Sequence, residues 1–306
     1  MPTPMSQDLP SEAVGRALAA LALGTFEPKD LHPLSDLSRA ARHEFEAAWL
    51  RLPEATRVAA IKTMAAEASA SFELDFHRAL EVAIRRDPSA VARQLAIVAS
   101  NERDDIVFAE LMLDLIETDS SVDVRAAAAG ALRTICDIAV TTDDETTSAL
   151  AANAHYALMR LVQDQREHPL VRGKALESIA AFGSQPAIAE AIDAARESDD
   201  EALRASSLIA MGRTCDRRWL RDILRELRSE DVALRRAAAV ACGRMGETDA
   251  IVSLGSVARD DDREVRNAAI WSIGEIGGGV AASVLSKLLR DASKDERELI
   301  EAAIDE

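Results

Sequence analysis

An arginine returns along this chain at a fixed interval. Arg204, Arg235, Arg266 and Arg297 stand 31 residues apart. The wording around them is similar: Asp200-Glu-Ala-Leu-Arg204-Ala-Ser-Ser-Leu, Asp231-Val-Ala-Leu-Arg235-Arg-Ala-Ala-Ala, Asp262-Arg-Glu-Val-Arg266-Asn-Ala-Ala-Ile. Self-similarity at a period near thirty signals stacked supersecondary units, none of which buries its apolar face alone. Such a chain grows by adding units and needs no single large core, so a length of 306 residues does not have to mean two globular domains. Repeat arrays mostly present surfaces to partners, which weighs against catalysis.

Each unit reads as helical. Four residues before a repeat arginine stands a short oxygen side chain, at Ser121, Asp200, Asp231, Asp262 and Ser293. Such a side chain accepts from the free N–H groups of a helix's first turn. Relative to each arginine, positions −1, +3, +4 and +7 are small or apolar: Val265, Ala269, Ile270 and Ile273 around Arg266, and Leu234, Ala238, Ala239 and Cys242 around Arg235. That spacing places them on one helical face. Eleven residues after the arginine comes Gly183, Gly246 or Gly277, a helix stop, and Cys136 and Cys215 occupy the same slot elsewhere. A second helix precedes each of these, as in 219–228, 250–259 and 280–290.

Upstream, Arg172 belongs to the series, with Pro169 at its helix start. Arg125 lies 47 residues before it, so this unit carries an insertion around the polar loop 141–145. Further helices are expected at about 103–117, 88–100, 72–86, 54–70 and 35–51, with Arg93 and Arg57 as degenerate repeat arginines. The expected architecture is all-α: a right-handed α-solenoid of about eight antiparallel helical hairpins. It divides into an N-terminal cap over 1–34, degenerate repeats over 35–118, and regular repeats over 119–306 with the insertion near 139–150. The whole is read as one continuous solenoid.

The motif Asp262-Arg-Glu-Val-Arg-Asn-Ala-Ala-Ile-Trp-Ser-Ile-Gly274-Glu-Ile-Gly277 resembles HEAT repeats, of the short kind noted in phycobilisome lyases, and Asp231–Gly246 also matches well. The resemblance is strong over 169–291, good over 119–136 and weak before residue 100. It implies architecture more than activity, because the family includes scaffolds, adaptors, chaperone-like lyase subunits and a few enzymes. It also implies that Arg125, Arg172, Arg204, Arg235 and Arg266 form a ladder, bonding acidic side chains and carbonyls between neighbouring units.

The net charge of −17 disfavours phosphate neutralisation, and with it nucleic-acid or anionic-membrane partners. No apolar run is long enough to span a membrane. The N-terminal residues 1–8 show no signal-peptide pattern, and three cysteines without a CxxC pair read as reduced thiols, so a cytoplasmic protein is expected.

Chemistry finds little footing. His32, His43, His77, His155 and His168 are scattered without zinc spacing. Enzymes resembling deoxyhypusine hydroxylase use several His-Glu dipeptides for a metal pair, and this chain has one, His43-Glu44. Cys215 lies near Arg213, Arg217 and Arg218, surroundings that lower a thiol's pKa, but its slot suggests packing or capping. Gly277-Gly-Gly279 lacks the Lys-Ser/Thr that follows a phosphate loop and reads as a turn. No catalytic residue, cofactor or metal is expected.

The positions that the repeat does not dictate are more informative. The +5 residue lies off the core stripe and reads Gly130, Glu177, Ile209, Val240, Trp271. Three successive apolar residues there either line a groove or bury against adjacent helices. Arg236 and Asn267 at +1, with Arg213 and Arg244 at +9, would flank the groove, a composition found at binding hot spots. The helix over 217–228 carries Arg217, Arg221, Arg225 and Arg228, either to dock an acidic partner or as a solvated face with local pairs such as Arg218 to Asp222. The expected function is a non-catalytic scaffold or adaptor that binds another protein or peptide on its concave face, as a monomer or within a larger complex. The alternatives are a lyase-like or chaperone-like subunit, a structural subunit, and a nucleic-acid binder, which the acidity opposes.

Overall fold

The computed structural model describes residues 10–141, 144–183 and 185–305. The signal-peptide reading on 1–8 and positions 142 and 143 of the polar loop lie outside them. Among the described residues all regular structure is helical. The chain forms two compact units, Met1–Ala131 and Leu132–Glu306.

The first unit begins with α1 (Pro10–Leu23) and a 3₁₀ turn at Pro28–Leu34. Three hairpins follow: α2 (Arg39–Trp49) with α3 (Glu54–Ala70), α4 (His77–Arg86) with α5 (Ala90–Ala99), and α6 (Ile106–Thr118) with α7 (Val122–Ala131). The second helices α3, α5 and α7 pack side by side, and α4 lies beside α2. The expected helices are therefore all present: α3 has the expected bounds, and α2, α4, α5 and α6 start a few residues later where a cap or loop intervenes.

The second unit contains α8 (Arg133–Ala139), α9 (Glu145–Gln163), α10 (Pro169–Ile179), α11 (Pro186–Arg196), α12 (Glu201–Arg213), α13 (Leu220–Glu226), α14 (Val232–Met245), α15 (Ile251–Val257), α16 (Arg263–Ile276), α17 (Gly278–Asp291) and α18 (Lys294–Asp305). Helices α10, α12, α14, α16 and α18 form one layer, and α11, α13, α15 and α17 form the other, so the fold is an all-α solenoid of stacked hairpins. The insertion after Arg125 is the extra helix α8 and the long α9.

The expected caps form at Asp200, Asp231, Asp262 and Ser293. Asp200 accepts from the Leu203 N–H at 2.9 Å, Asp231 from Ala233 at 2.7 Å, and Asp262 from Glu264 at 2.9 Å. Ser293 accepts from the Glu296 N–H, and the Glu296 carboxylate accepts from the Ser293 N–H, closing a capping box. The −1, +3, +4 and +7 residues are buried around Arg125, Arg172, Arg204, Arg235 and Arg266. Gly246 and Gly277 end their helices at φ of 71° and 65°, and Cys215 takes the same region at φ 51°. Cys215 thus does the turn's work without glycine's freedom. Cys136 departs from expectation: the repeat helix α7 already ends at Ala131, and Cys136 lies buried inside the following helix α8. Burial pushes the Cys136 and Cys242 thiols up to about 12, so both are packed hydrophobes with no thiolate chemistry near neutral pH.

The arginine ladder is present in part: Arg235 and Arg266 reach a carboxylate of the following unit, whereas Arg172 and Arg204 bond the carbonyls of Val162 and Ser198. Six residues before a repeat arginine stands Asp87, Asp119, Ser198, Ser229 or Asp260. The backbone carbonyl of that residue accepts from the guanidinium of Arg93, Arg125, Arg204, Arg235 or Arg266, at 2.8–3.0 Å. Its side chain accepts the N–H two residues on, setting the turn into the helix. Where it is aspartate, it also takes the preceding unit's arginine: Arg57 on Asp87, Arg93 on Asp119, Arg235 on Asp260. One aspartate thereby joins two successive units, through its carboxylate on one side and its carbonyl on the other. Glu296 supplies the carboxylate for Arg266 at 3.0 Å, which explains a charged residue at an otherwise apolar −1 position.

The Arg235 guanidinium holds the Asp260 carboxyl below its ordinary value, with burial opposing. A depressed folded pKa stabilises above the unfolded value, near 3.9, and the gain disappears as pH falls through the folded value. The stability deficit of Arg235→Gln, read by urea titration, should therefore be smaller at about pH 2.5 than at pH 7. A deficit independent of pH would mean that Arg235 acts through its carbonyl bonds alone.

Candidate functional site

The surface carrying the +5 residues is built by glycine. At +8 from the repeat arginine stand Gly212, Gly243 and Gly274. A Cβ on Gly212 would lie 2.5 Å from the Ala241 carbonyl oxygen, and one on Gly274 would lie 2.8 Å from that of Ala303. Helices α12 and α14, and α16 and α18, therefore approach backbone to backbone at these glycines, and α14 packs on α16 between them. The +5 residues share one face of this layer of helices.

On that face Trp271 is 42% exposed, and Val240 and Ile209 are half-buried on the two preceding helices. Trp49 and Trp219 are both buried, which makes Trp271 the exposed tryptophan of the chain. Arg236 is exposed and makes no ion pair among the described residues. Asn267 is half-buried and lines a shallow polar cleft with Arg263 and Glu298. Arg244 pairs with Glu275 at 3.1 Å and keeps 47% of its side chain exposed.

Arg213 is the correction to the expected flank. Its side chain is 9% exposed, because it donates to Asp137 on α8 at 2.5 Å and to the Glu177 carbonyl on α10 at 2.8 Å. It is a strut between three helices, with little of its side chain left for a partner to reach. Glu177, the +5 residue of its own unit, accepts from Lys174 at 2.8 Å and from the Ser206 hydroxyl at 2.7 Å. Burial, then the Arg213 guanidinium, push Arg133 down from its ordinary value. Arg133, Arg213 and Arg244 thus gather with Asp137 and Glu177 at one end of the apolar strip, a network that sequence spacing conceals because its members come from separate units.

Of the four arginines singled out on the basic helix, Arg225 makes a local pair and Arg217 pairs with the following unit. Arg217 reaches Asp249 at 2.5 Å, and Arg225 pairs with Asp222. Arg218 does not meet Asp222 as expected. The segment Arg217–Trp219 is a 3₁₀ turn, so i,i+4 spacing does not apply there, and Arg218 bonds Asp216 at 3.0 Å while stacking 4.4 Å over the Trp219 ring. Cys215 is exposed, its sulfur 3.7 Å from the Arg244 carbonyl oxygen. His43 and Glu44 are exposed on α2, and no group of three His, Cys, Asp or Glu residues among those described is placed to hold a metal. No described helix is long and apolar enough to cross a membrane.

Residues 218–305 match the family model described as HEAT repeats. No curated protein matches the sequence. Among solved structures, importin beta is 14% identical over 96% of this chain and 45% of its own, with a TM-score of 0.44. Human deoxyhypusine hydroxylase in complex with glycerol is 14% identical over 99% of this chain and 98% of its own, at 0.37. A designed armadillo repeat protein in complex with the peptide (KR)4 is 15% identical over 65% and 98%, also at 0.37. With its repeat arginines, its capped hairpins and the family match, the stretch 218–305 of this chain consists of HEAT repeats.

Proposed function

We propose that the protein is a non-catalytic interaction scaffold that binds a protein or peptide segment along the +5 face of its second unit. The observation that carries this reading is Trp271, which keeps 42% of its surface in water on a helix whose other large apolar residues on the core stripe are buried. Folding gains nothing from that exposure, whereas a partner's side chain laid against Trp271, Val240 and Ile209 would bury it. Arg236 and Asn267 at one edge and Arg244 at the other supply polar contacts around an apolar centre, the usual anatomy of a hot spot. Arg236, lacking an internal partner, suits an acidic side chain on the bound segment.

Peptides selected by display on the immobilised protein should bind Trp271→Ala at least about tenfold more weakly, a loss of roughly 1.4 kcal/mol or more. Helix content, followed by circular dichroism, should stay unchanged. Selected peptides that bind both proteins equally would place the interaction elsewhere.

A further inference from the structure

The following unit offers Arg204 no acid. Arg93 meets Asp119 with Nε on Oδ2 at 2.8 Å and Nη2 on Oδ1 at 2.9 Å, and Arg235 meets Asp260 in the same way at 2.7 and 3.0 Å. Two parallel bonds from one guanidinium edge to one carboxylate are the strong form of this pair. Arg204 is placed alike: its Nη1 donates to the Ser198 carbonyl at 2.9 Å, as Arg235 Nη1 donates to that of Ser229. Yet the position that supplies the acid elsewhere holds Ser229. The Ser229 hydroxyl accepts the Asp231 N–H at 3.3 Å, as the Asp260 carboxylate accepts that of Asp262 at 2.9 Å. The turn keeps its form, and only the acid is replaced.

The Arg204 side chain is half-buried, and its Nε and Nη2 have no acceptor among the described residues. Unlike Arg196 Nε, which is buried without a partner, both keep solvent-accessible surface. Arg204 lines a cleft of about 390 Å³, whose other charged side chains are Arg196, Glu197, Asp222, Arg225 and Glu226. Most of these satisfy one another. Asp222 is taken by Arg225 and, at 3.7 Å, by Arg196, and Glu226 is taken by Arg225 at 3.4 Å. Glu197 is exposed and makes no ion pair with Arg204 or any other described residue.

These groups restrict the ligand. The open edge of Arg204 can only donate, and its fork matches a planar carboxylate. Glu197, Asp222 and Glu226 line the same cleft and would repel a phosphate dianion more than a singly charged carboxylate. The volume lies within the range of about 300–1,000 Å³ for sites that enclose small organic groups. The cleft is separate from the apolar strip of the +5 face, because Arg204 lies about 140° around α12 from Ile209.

We propose that this cleft takes a carboxylate from outside the chain, seated on Arg204 Nε and Nη2 as Asp119 is on Arg93 and Asp260 on Arg235. The test follows the arginine Nε–H resonances of the full chain while acetate, N-acetyl-aspartate N-methylamide or phosphate replaces chloride at constant ionic strength. The Arg204 signal, assigned by its loss in Arg204→Gln, should shift saturably with acetate, and with phosphate only at about tenfold or more higher concentration. Tighter binding of the blocked aspartate than of acetate identifies an acidic side chain of a partner as the source, and equal or weaker binding a free carboxylate. Ser229→Asp supplies the acid from within. It should weaken acetate by about tenfold or more and melt no lower than the native chain, because Asp260 shows that the turn accepts aspartate. The proposal is overturned if no arginine signal saturates with acetate, if phosphate binds as tightly, or if Ser229→Asp keeps full affinity. Acetate binding that appears only in Glu197→Gln would also overturn it, by showing that Glu197 occupies Arg204 itself.

Discussion

Asp87→Ala should destabilise the first unit by about 3–5 kcal/mol, the cost of stranding a buried charge. The Asp87 residue is 3% exposed and Arg57 6%. Its carboxylate accepts from Arg57 Nε at 2.8 Å and Nη2 at 3.1 Å, from Trp49 Nε1 at 2.8 Å, and from the Ser89 N–H at 2.9 Å. Alanine would leave a guanidinium and an indole N–H buried without that acceptor, and would remove the turn that starts α5. Urea unfolding followed by Trp49 fluorescence reads the effect. Arg57→Met combined with Asp87→Ala should be less destabilised than Asp87→Ala alone, because the stranded charge goes with its partner. Glu12→Ala, which breaks the exposed pair with Arg16, should shift stability by no more than about 0.5 kcal/mol. An Asp87→Ala variant as stable as that control would show that the ladder is decorative.

Gly212→Val should cost the second unit about 3 kcal/mol, at the upper end of overpacking effects. The clash is with backbone: a Cβ at Gly212 would meet the Ala241 oxygen at 2.5 Å and its Cα at 2.7 Å, so α12 and α14 must separate. Valine adds two branches to that Cβ. At Gly243 the nearest atoms belong to the side chains of Glu275 and Ser272, which can turn away. Gly243→Ala should therefore cost less than Gly212→Ala, and the gain in helix propensity, up to about 1 kcal/mol, offsets part of each. Parallel urea titrations of the two alanine variants decide the matter, and equal stabilities would refute the close approach at Gly212.

Much of this was legible in the chain. Caps at Asp200, Asp231 and Asp262, the buried stripe at −1, +3, +4 and +7, and the stops at Gly246 and Gly277 all follow from residues within one turn or one helix of each other. An aspartate or serine also recurs six residues before Arg93, Arg125, Arg204, Arg235 and Arg266, but the aspartates' role becomes visible only when Asp87, Asp119 and Asp260 are seen to take the arginine of the unit before. Cys136 and Cys215 share a slot and diverge in structure, one buried in the extra helix α8, the other ending its helix at positive φ.

A repeat protein encodes its helices locally and its stacking by nearest neighbours, and both leave a period that can be counted. The availability of a surface residue has no period. Arg213 and Arg244 occupy the same +9 position, yet Arg244 remains half-exposed while Arg213 is buried by a carboxylate 76 residues away and a carbonyl 36 residues away. Periodicity determined the solenoid. Which of its side chains remain free for a partner or a ligand was settled by contacts between units, where distance along the chain no longer measures distance in space.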